Sequence, residues 1–281
     1  NQRVLPWIAA AGALVVYLVT LNHWVTVASL PLVAKVTGWD WWMPTLQAPV
    51  YLLVTYPVRW LAPGAQPVAL NFFAALCGAS ALGLLARSVA LLPHDRTIQQ
   101  RQRERNSQGL LSIPANWLPP LLAALALGLT LTFWEHAVVA TGEAFNALLF
   151  AYVIRCLLEF RIQQKESWLL RMAFVYGLAV TNNWAMIGFF PLFLAAVVWI
   201  KGAAFFNWRF LGKMTGCGLL GLLPCLFLPA VQVATSAASN SFWEYLRFEL
   251  VLQRNSLLLV PRWLVLILSL SSVLPVIAMG I

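Results

Sequence analysis

The sequence carries nine carboxylates and three histidines among 281 residues, so few positions can do proton chemistry. Four of the acids, Asp95, Glu104, Glu159 and Glu166, sit among Arg and Lys and read as solvated partners of those charges. The other five, Asp40, Glu135, Glu143, Glu244 and Glu249, fall in or beside apolar, aromatic segments. Asp40 lies in GWDWWMP, flanked by Trp39 and Trp41. An aromatic belt at a membrane interface accounts for the tryptophans but not for the acid among them. Glu143 opens EAFNALLFAY, and on a helix it shares a face with Asn146, three residues on. It is either a carboxylate favoured by the helix dipole or a group that meets a substrate. FWEHA sets Glu135 beside His136 at the close of an apolar run. Two such ligands make a poor metal site, and neither a metal nor a cofactor is expected. Asn182 and Asn183 interrupt an apolar stretch, where side-chain amides either cap a broken helix or face a cavity. Arg247 and Arg254 are seven apart and so fall near one face of a helix. Their options are pairing with Glu244 and Glu249, or offering planar donor forks to a phosphate.

These residues have to be positioned by an unusually apolar chain. It is 61% hydrophobic and 10% charged, with a mean hydropathy of +0.79. A soluble domain carries about 25% charged residues. That excludes a soluble globular protein, a disordered chain and a secreted disulfide scaffold, and leaves an all-α, polytopic transmembrane helical bundle. Charged and Pro-rich flanks bracket about eight spans, starting with Leu5–Val25, Val68–Leu92, Trp117–Trp134 and Val138–Phe160. TNNW splits Trp168–Ile200 into two short spans; Met214–Val233 and Arg262–Ile281 complete the set. The whole chain, 1–281, reads as one transmembrane domain, with outer loops at 26–67 and 234–261 and a cytoplasmic loop at 93–116. With the N-terminus inside, 13 of the 18 Lys/Arg fall on the cytoplasmic side, leaving Lys35, Arg59, Arg247, Arg254 and Arg262 outside. This bias requires that the large first outer loop, 26–67, contain no complete crossing, so its APVYLLVTYPVRWLAP lies in the interface.

The net charge of +9 is spread through short loops, which is a topology signal and not a nucleic-acid groove. The four cysteines lie in apolar segments without metal-ligand spacing and read as small buried residues. Starting at Asn1 instead of Met and ending at Ile281 inside an apolar run, the chain reads as incomplete, and no cleavable signal peptide is evident. Walker, GxGxxG, HExxH and GxSxG motifs are absent.

Four blocks in order carry a family resemblance. TLQAPVYLLVTYPVRWLAPGAQPVALNFFAALCGASALGLLARSVALLP, LTFWEHAVVATGEAFNALLFAYVIRCLLEF, YGLAVTNNWAMIGFFPLFL and LLPCLFLPAVQ together resemble a bacterial multi-span membrane family. That family is grouped with the GT-C glycosyltransferases and is similar to the protein O-mannosyltransferases. The resemblance covers about residues 38–255 and implies a GT-C-like fold in the bacterial inner (cytoplasmic) membrane. It implies transfer of a sugar from a polyprenyl-phosphate carrier, a lipid-linked donor held among membrane lipids, to a protein or glycan acceptor at the periplasmic face. A carboxylate of the first outer loop would be the general base, and Asp40 is the acid there; Glu143 and Asn146 match the Glu and Asn of the second block. Trp39, Trp41, Glu135, His136, Asn182, Asn183, Arg247 and Arg254, singled out above by residue type and placement, complete the candidate substrate site. The sequence departs from the pattern where Gln47-Ala48-Pro49 replaces a His-Pro-Pro run, where Asn183 replaces a histidine, and where a second acid is missing from the first loop. A non-catalytic membrane protein on the same scaffold, such as a lipid-linked glycan transporter or a complex subunit, is the alternative reading.

Overall fold

The computed structural model describes residues 4–39, 48–92, 117–235 and 241–258, with six further positions between 261 and 270. Among the described residues every regular element is helical. The chain forms two compact units, one of Asn1–Pro44 with Tyr51–Trp168 and one of Thr45–Val50 with Leu169–Ile281.

The first unit is organised by α4 (Gln66–Leu91), whose 26 residues extend for about 39 Å, more than a bilayer core requires. Its neighbours are α1 (Leu5–Val19), the short helices α2 (Leu30–Thr37) and α3 (Pro49–Thr55), the pair α5 (Leu118–Gly128) and α6 (Leu131–Val138), and α7 (Glu143–Gln163). Small residues on α4 let two of these approach closely. A Cβ on Gly78 would stand 2.8 Å from the Ala137 Cβ on α6, and one on Gly83 would stand 2.9 Å from the Ala10 Cβ on α1. Tyr17, 1% exposed, closes this core by donating to the Gly128 carbonyl (2.9 Å) and meeting Trp134 edge-on.

Contacts along α4 give the helix directions in this unit. Ala10 lies at Gly83, Tyr17 at Gly78 and Asn22 at Asn71, so α1 runs antiparallel to α4 and the segment between them returns to the end it left. Gly128 lies at Leu82 and Ala137 at Gly78, so α5 and α6 also run against α4. Phe73 packs on Phe145, and fourteen residues on in both helices Arg87 bonds Glu159, so α4 and α7 run parallel and in register.

Several expectations change. The helix drawn as Leu5–Val25 stops at Val19, because Thr20 folds its hydroxyl onto the Val16 carbonyl (2.9 Å) and Asn22 turns to cap Trp24 N (2.8 Å). At about 22 Å it is shorter than a bilayer core. The helix drawn as Trp117–Trp134 is two helices bent by 73°. The described residues contain three helices long and apolar enough to cross a membrane, Gln66–Leu91, Trp184–Phe206 and Trp208–Ala234, or four counting the bent pair, against about eight expected. Most of the last expected span, Arg262–Ile281, lies outside the described residues. Glu159, expected in solvent, is 3% exposed and held by Arg87. Cys77 and Cys156 are buried as expected, while Cys217 and Cys225 are only half-buried.

The second unit contains most of α8 (Glu166–Asn182), then α9 (Phe190–Lys201), α10 (Trp208–Leu222), α11 (Phe227–Thr235) and α12 (Phe242–Leu258), with 3-10 turns at Trp184–Phe189, Gly202–Phe206 and Leu223–Leu226. Helices α8 and α10 cross through glycine: a Cβ on Gly177 would stand 3.0 Å from the Gly221 Cα and strike the Gly218 carbonyl. Thr181 Oγ1 donates across the crossing to the Gly221 carbonyl (3.3 Å).

Candidate functional site

In the first unit, the amino ends of α4 and α7 form one cluster. Asn71, 1% exposed on α4, is its hub. Its Nδ2 donates to the Asn22 carbonyl (2.6 Å) and its Oδ1 accepts from Ala140 N (2.8 Å), so one amide latches the segment after α1 to the turn before α7. Asn22 N also donates to the Val138 carbonyl (3.4 Å). In the same turn His136 Nδ1 lies 2.8 Å from Thr141 Oγ1. Gly142 follows with φ +84°, a backbone region costly for residues with a Cβ, and a Cβ there would stand 3.3 Å from Leu32 on α2. This turn starts α7 at Glu143.

Glu143 is exposed and occupies the first helical position, where an acidic side chain complements the helix dipole. Its Oε2 accepts from Asn146 Nδ2 (3.3 Å), as the three-residue spacing anticipates, and Asn146 itself is 9% exposed. Glu143 Oε1 accepts no hydrogen bond among the described residues. The result is a carboxyl group fixed at a helix start, with one oxygen oriented and the other open to a hydroxyl. Glu135 is exposed on the last turn of α6 and His136 is half-buried beside it. Among the described residues no three His, Cys, Asp or Glu side chains gather as a metal site.

Helix α2 leads to the remaining candidate residues of segment 26–67. Thr26 and Ser29 exchange backbone-to-side-chain bonds at its start (3.0 and 3.2 Å), and Gly38 at φ +75° ends it. Arg59 then reaches back from the turn after α3, donating to the carbonyls of Val36 and Lys35 (the latter 3.0 Å) and lying over the Tyr56 ring. A cation at the end of α2 neutralises carbonyls that the helix leaves unpaired. Trp39 is half-buried directly after this held end. Asp40 and Trp41 lie outside the described residues.

In the second unit, Asn182 is 6% exposed at the end of α8, and Asn183 is extended (φ −142°, ψ 107°) with its Oδ1 accepting from Ala185 N at 3.0 Å. Of the two roles open to Asn183, the structure gives the cap. Arg247 and Arg254 are exposed on α12 and line one hollow of about 420 Å³ with Trp243, Leu246, Leu250 and Val251. They do not pair with the acids nearby. Glu244 caps its own helix, accepting from Ser241 N (2.8 Å), and Glu249 is 1% exposed on the other side of α12.

Sequence reasoning singled out neither Asn71 nor Arg59. A lone amide in the apolar run of α4 was the available signal for Asn71; nothing local marks Arg59 as the cap of a helix more than twenty residues upstream.

No curated protein and no solved structure matches the chain. Residues 47–204 match the family model described as Protein O-mannosyl-transferase TMEM260 N-terminal domain. The matched stretch includes Asn71, Glu135, His136, Glu143, Asn146, Asn182 and Asn183, and ends before Arg247 and Arg254. The match spans more than half of the sequence: this apolar, all-helical chain belongs to the family of the protein O-mannosyl-transferase TMEM260 N-terminal domain.

Proposed function

We propose that the protein is a membrane glycosyltransferase that moves a sugar from a polyprenyl-phosphate carrier to an acceptor hydroxyl at the periplasmic face of a bacterial inner membrane. The observation that carries this reading is the family match over residues 47–204, which includes the helix start where Asn71, Asn146 and the exposed Glu143 are arranged. Such a transfer needs a carboxylate to take the proton from the attacking hydroxyl, donors to neutralise the departing phosphate, and a scaffold of GT-C type to hold both in a membrane. Asp40 is assigned as the base, because it directly follows the end of α2 that Arg59 holds and stands among tryptophans that offer stacking faces to a sugar. Glu143, held by Asn146, orients the acceptor or the loop. Arg247 and Arg254 are assigned to the carrier phosphate, since both line one hollow and neither is paired with Glu244 or Glu249.

One observation favours a non-catalytic role on the same scaffold. Asn183, which stands where the resemblance has a histidine, spends its side-chain oxygen on a backbone cap and offers no titratable group. Substitution separates the readings. Asp40→Asn keeps shape and removes the base, so it should leave carrier binding unchanged and lower transfer by about 10²–10⁴-fold. Full transfer by Asp40→Asn with loss in Glu143→Gln would exchange the two roles, and carrier binding without transfer by the parent would select the non-catalytic reading.

A further inference from the structure

Far from Glu143, the opposite end of the α4–α7 pair carries a second polar cluster that the transfer reaction does not use. Arg87 lies fourteen residues beyond Phe73 and Glu159 fourteen beyond Phe145, about 21 Å along parallel helices. Arg87 Nε and Nη2 both bond Glu159 Oε1 (3.3 and 3.2 Å), and Arg155 Nε approaches the same oxygen at 3.8 Å. Gln163 Nε2 donates to Glu159 Oε2 (2.7 Å), Trp168 Nε1 donates to Gln163 Oε1 (3.2 Å), and the Trp168 ring faces the Arg155 guanidinium at 5.9 Å. The ring of contacts closes on itself around one carboxylate whose side chain is 4% exposed.

The charges in that ring do not balance. Among the described residues, two guanidinium groups share one carboxylate, which leaves one positive charge on side chains about three-quarters buried, at 26% and 23% exposure. Arg155 Nε is buried and donates no hydrogen bond among the described residues. Buried polar groups in folded proteins are almost always satisfied, and an unmatched one signals a missing water or ion. An uncompensated charge at this depth is costly, whereas a phosphate oxygen would satisfy both the charge and the planar donor fork.

We propose that Arg87 and Arg155, fixed by Glu159, Gln163 and Trp168, form a phosphate-binding site separate from the sugar-transfer site. Its ligand is a phosphate group, supplied by a lipid headgroup or by free phosphate. Glu159 gathers the two guanidinium groups at one oxygen and limits their net charge to one, suiting a singly charged phosphodiester. The inference stands whether or not the protein transfers sugar.

The experiment uses the full chain in nanodiscs. Arg155→Gln is the informative variant, because it leaves the Arg87–Glu159 bond intact, and Arg161→Gln, an exposed arginine on the same helix, is the control. Retained lipid is measured by native mass spectrometry after reconstitution in phosphatidylcholine containing a minority of anionic phosphatidylglycerol. Thermal midpoint is followed with inorganic phosphate in phosphatidylcholine alone. Arg155→Gln should lower phosphatidylglycerol retention, or the apparent affinity for phosphate, about tenfold, while Arg161→Gln matches the parent. Response in the lipid arm alone names a headgroup as the source; response to inorganic phosphate names the free ion. Equal binding by parent and Arg155→Gln in both arms, or equal losses in the two variants, would overturn the proposal.

Discussion

Replacing Asn71 by Leu keeps the side chain's size and removes the hydrogen bonds that join the segment after α1 to the turn before Glu143, chiefly those to the Asn22 carbonyl and the Ala140 amide. The Asn22 carbonyl and the Ala140 amide would both lose their partner, the first in a half-buried segment and the second fully buried. Each orphaned backbone group costs about 1–3 kcal/mol, which gives about 2–6 kcal/mol for the pair. Most of this is local, because α4 keeps its packing against α1 and α7 through Gly78, Gly83 and Phe73. The assay is hydrogen exchange at Ala140 in nanodiscs. Each 1.4 kcal/mol is a factor of ten in an opening equilibrium, so exchange there should speed up by about 30-fold to 20,000-fold. Amides in the middle of α4 should change little. If a transfer assay is running, its rate should fall with unchanged donor binding, because Glu143 loses its fixed turn. Unaltered exchange at Ala140 would refute the idea that this one amide holds the turn.

Three further outcomes follow from the same geometry. Gly177→Ala and Gly221→Ala each place a methyl group against backbone of the facing helix and should destabilise the second unit by about 1–3 kcal/mol or more in denaturant melts, whereas Gly212→Ala and Gly216→Ala, with nothing within 4 Å, should be neutral or slightly stabilising. Ser88→Ala removes a buried hydroxyl that has no hydrogen-bond partner among the described residues, so it should leave the thermal midpoint unchanged or raise it. Arg247→Gln with Arg254→Gln should weaken binding of a polyprenyl phosphate at least tenfold with no loss of folding, and unchanged binding would remove these residues from the carrier site.

What the sequence made legible was mostly local. Glu143 opens its helix where the apolar period and the preceding Gly142 place it, and Asn146 meets it because three residues is one helical turn. The break at Asn182 and Asn183 follows from side-chain amides competing with the helical backbone, and Arg247 and Arg254 share a face because seven residues make two turns. What stayed hidden depends on partners distant in the chain. Glu159 looks solvated among its sequence neighbours, yet Arg87, 72 residues away, draws it into the bundle. Asn71 gains its meaning from Asn22 and Ala140, 49 and 69 residues away. Hydropathy alone also overstates helix length: a run of apolar residues does not reveal that Thr20 ends α1, or that α5 and α6 meet at 73°.

The central claim is that this chain consumes a lipid-linked sugar. Purified protein in nanodiscs, given polyprenyl-phosphate sugar labelled in the sugar together with a membrane-extract acceptor fraction, should convert the donor to free polyprenyl phosphate and move label into the acceptor. Both products should be lost together in Asp40→Asn, in protein that still binds the donor. Donor that stays intact with every lipid-linked sugar offered, under conditions where the parent binds it, would contradict the account and leave a binding protein in place of an enzyme.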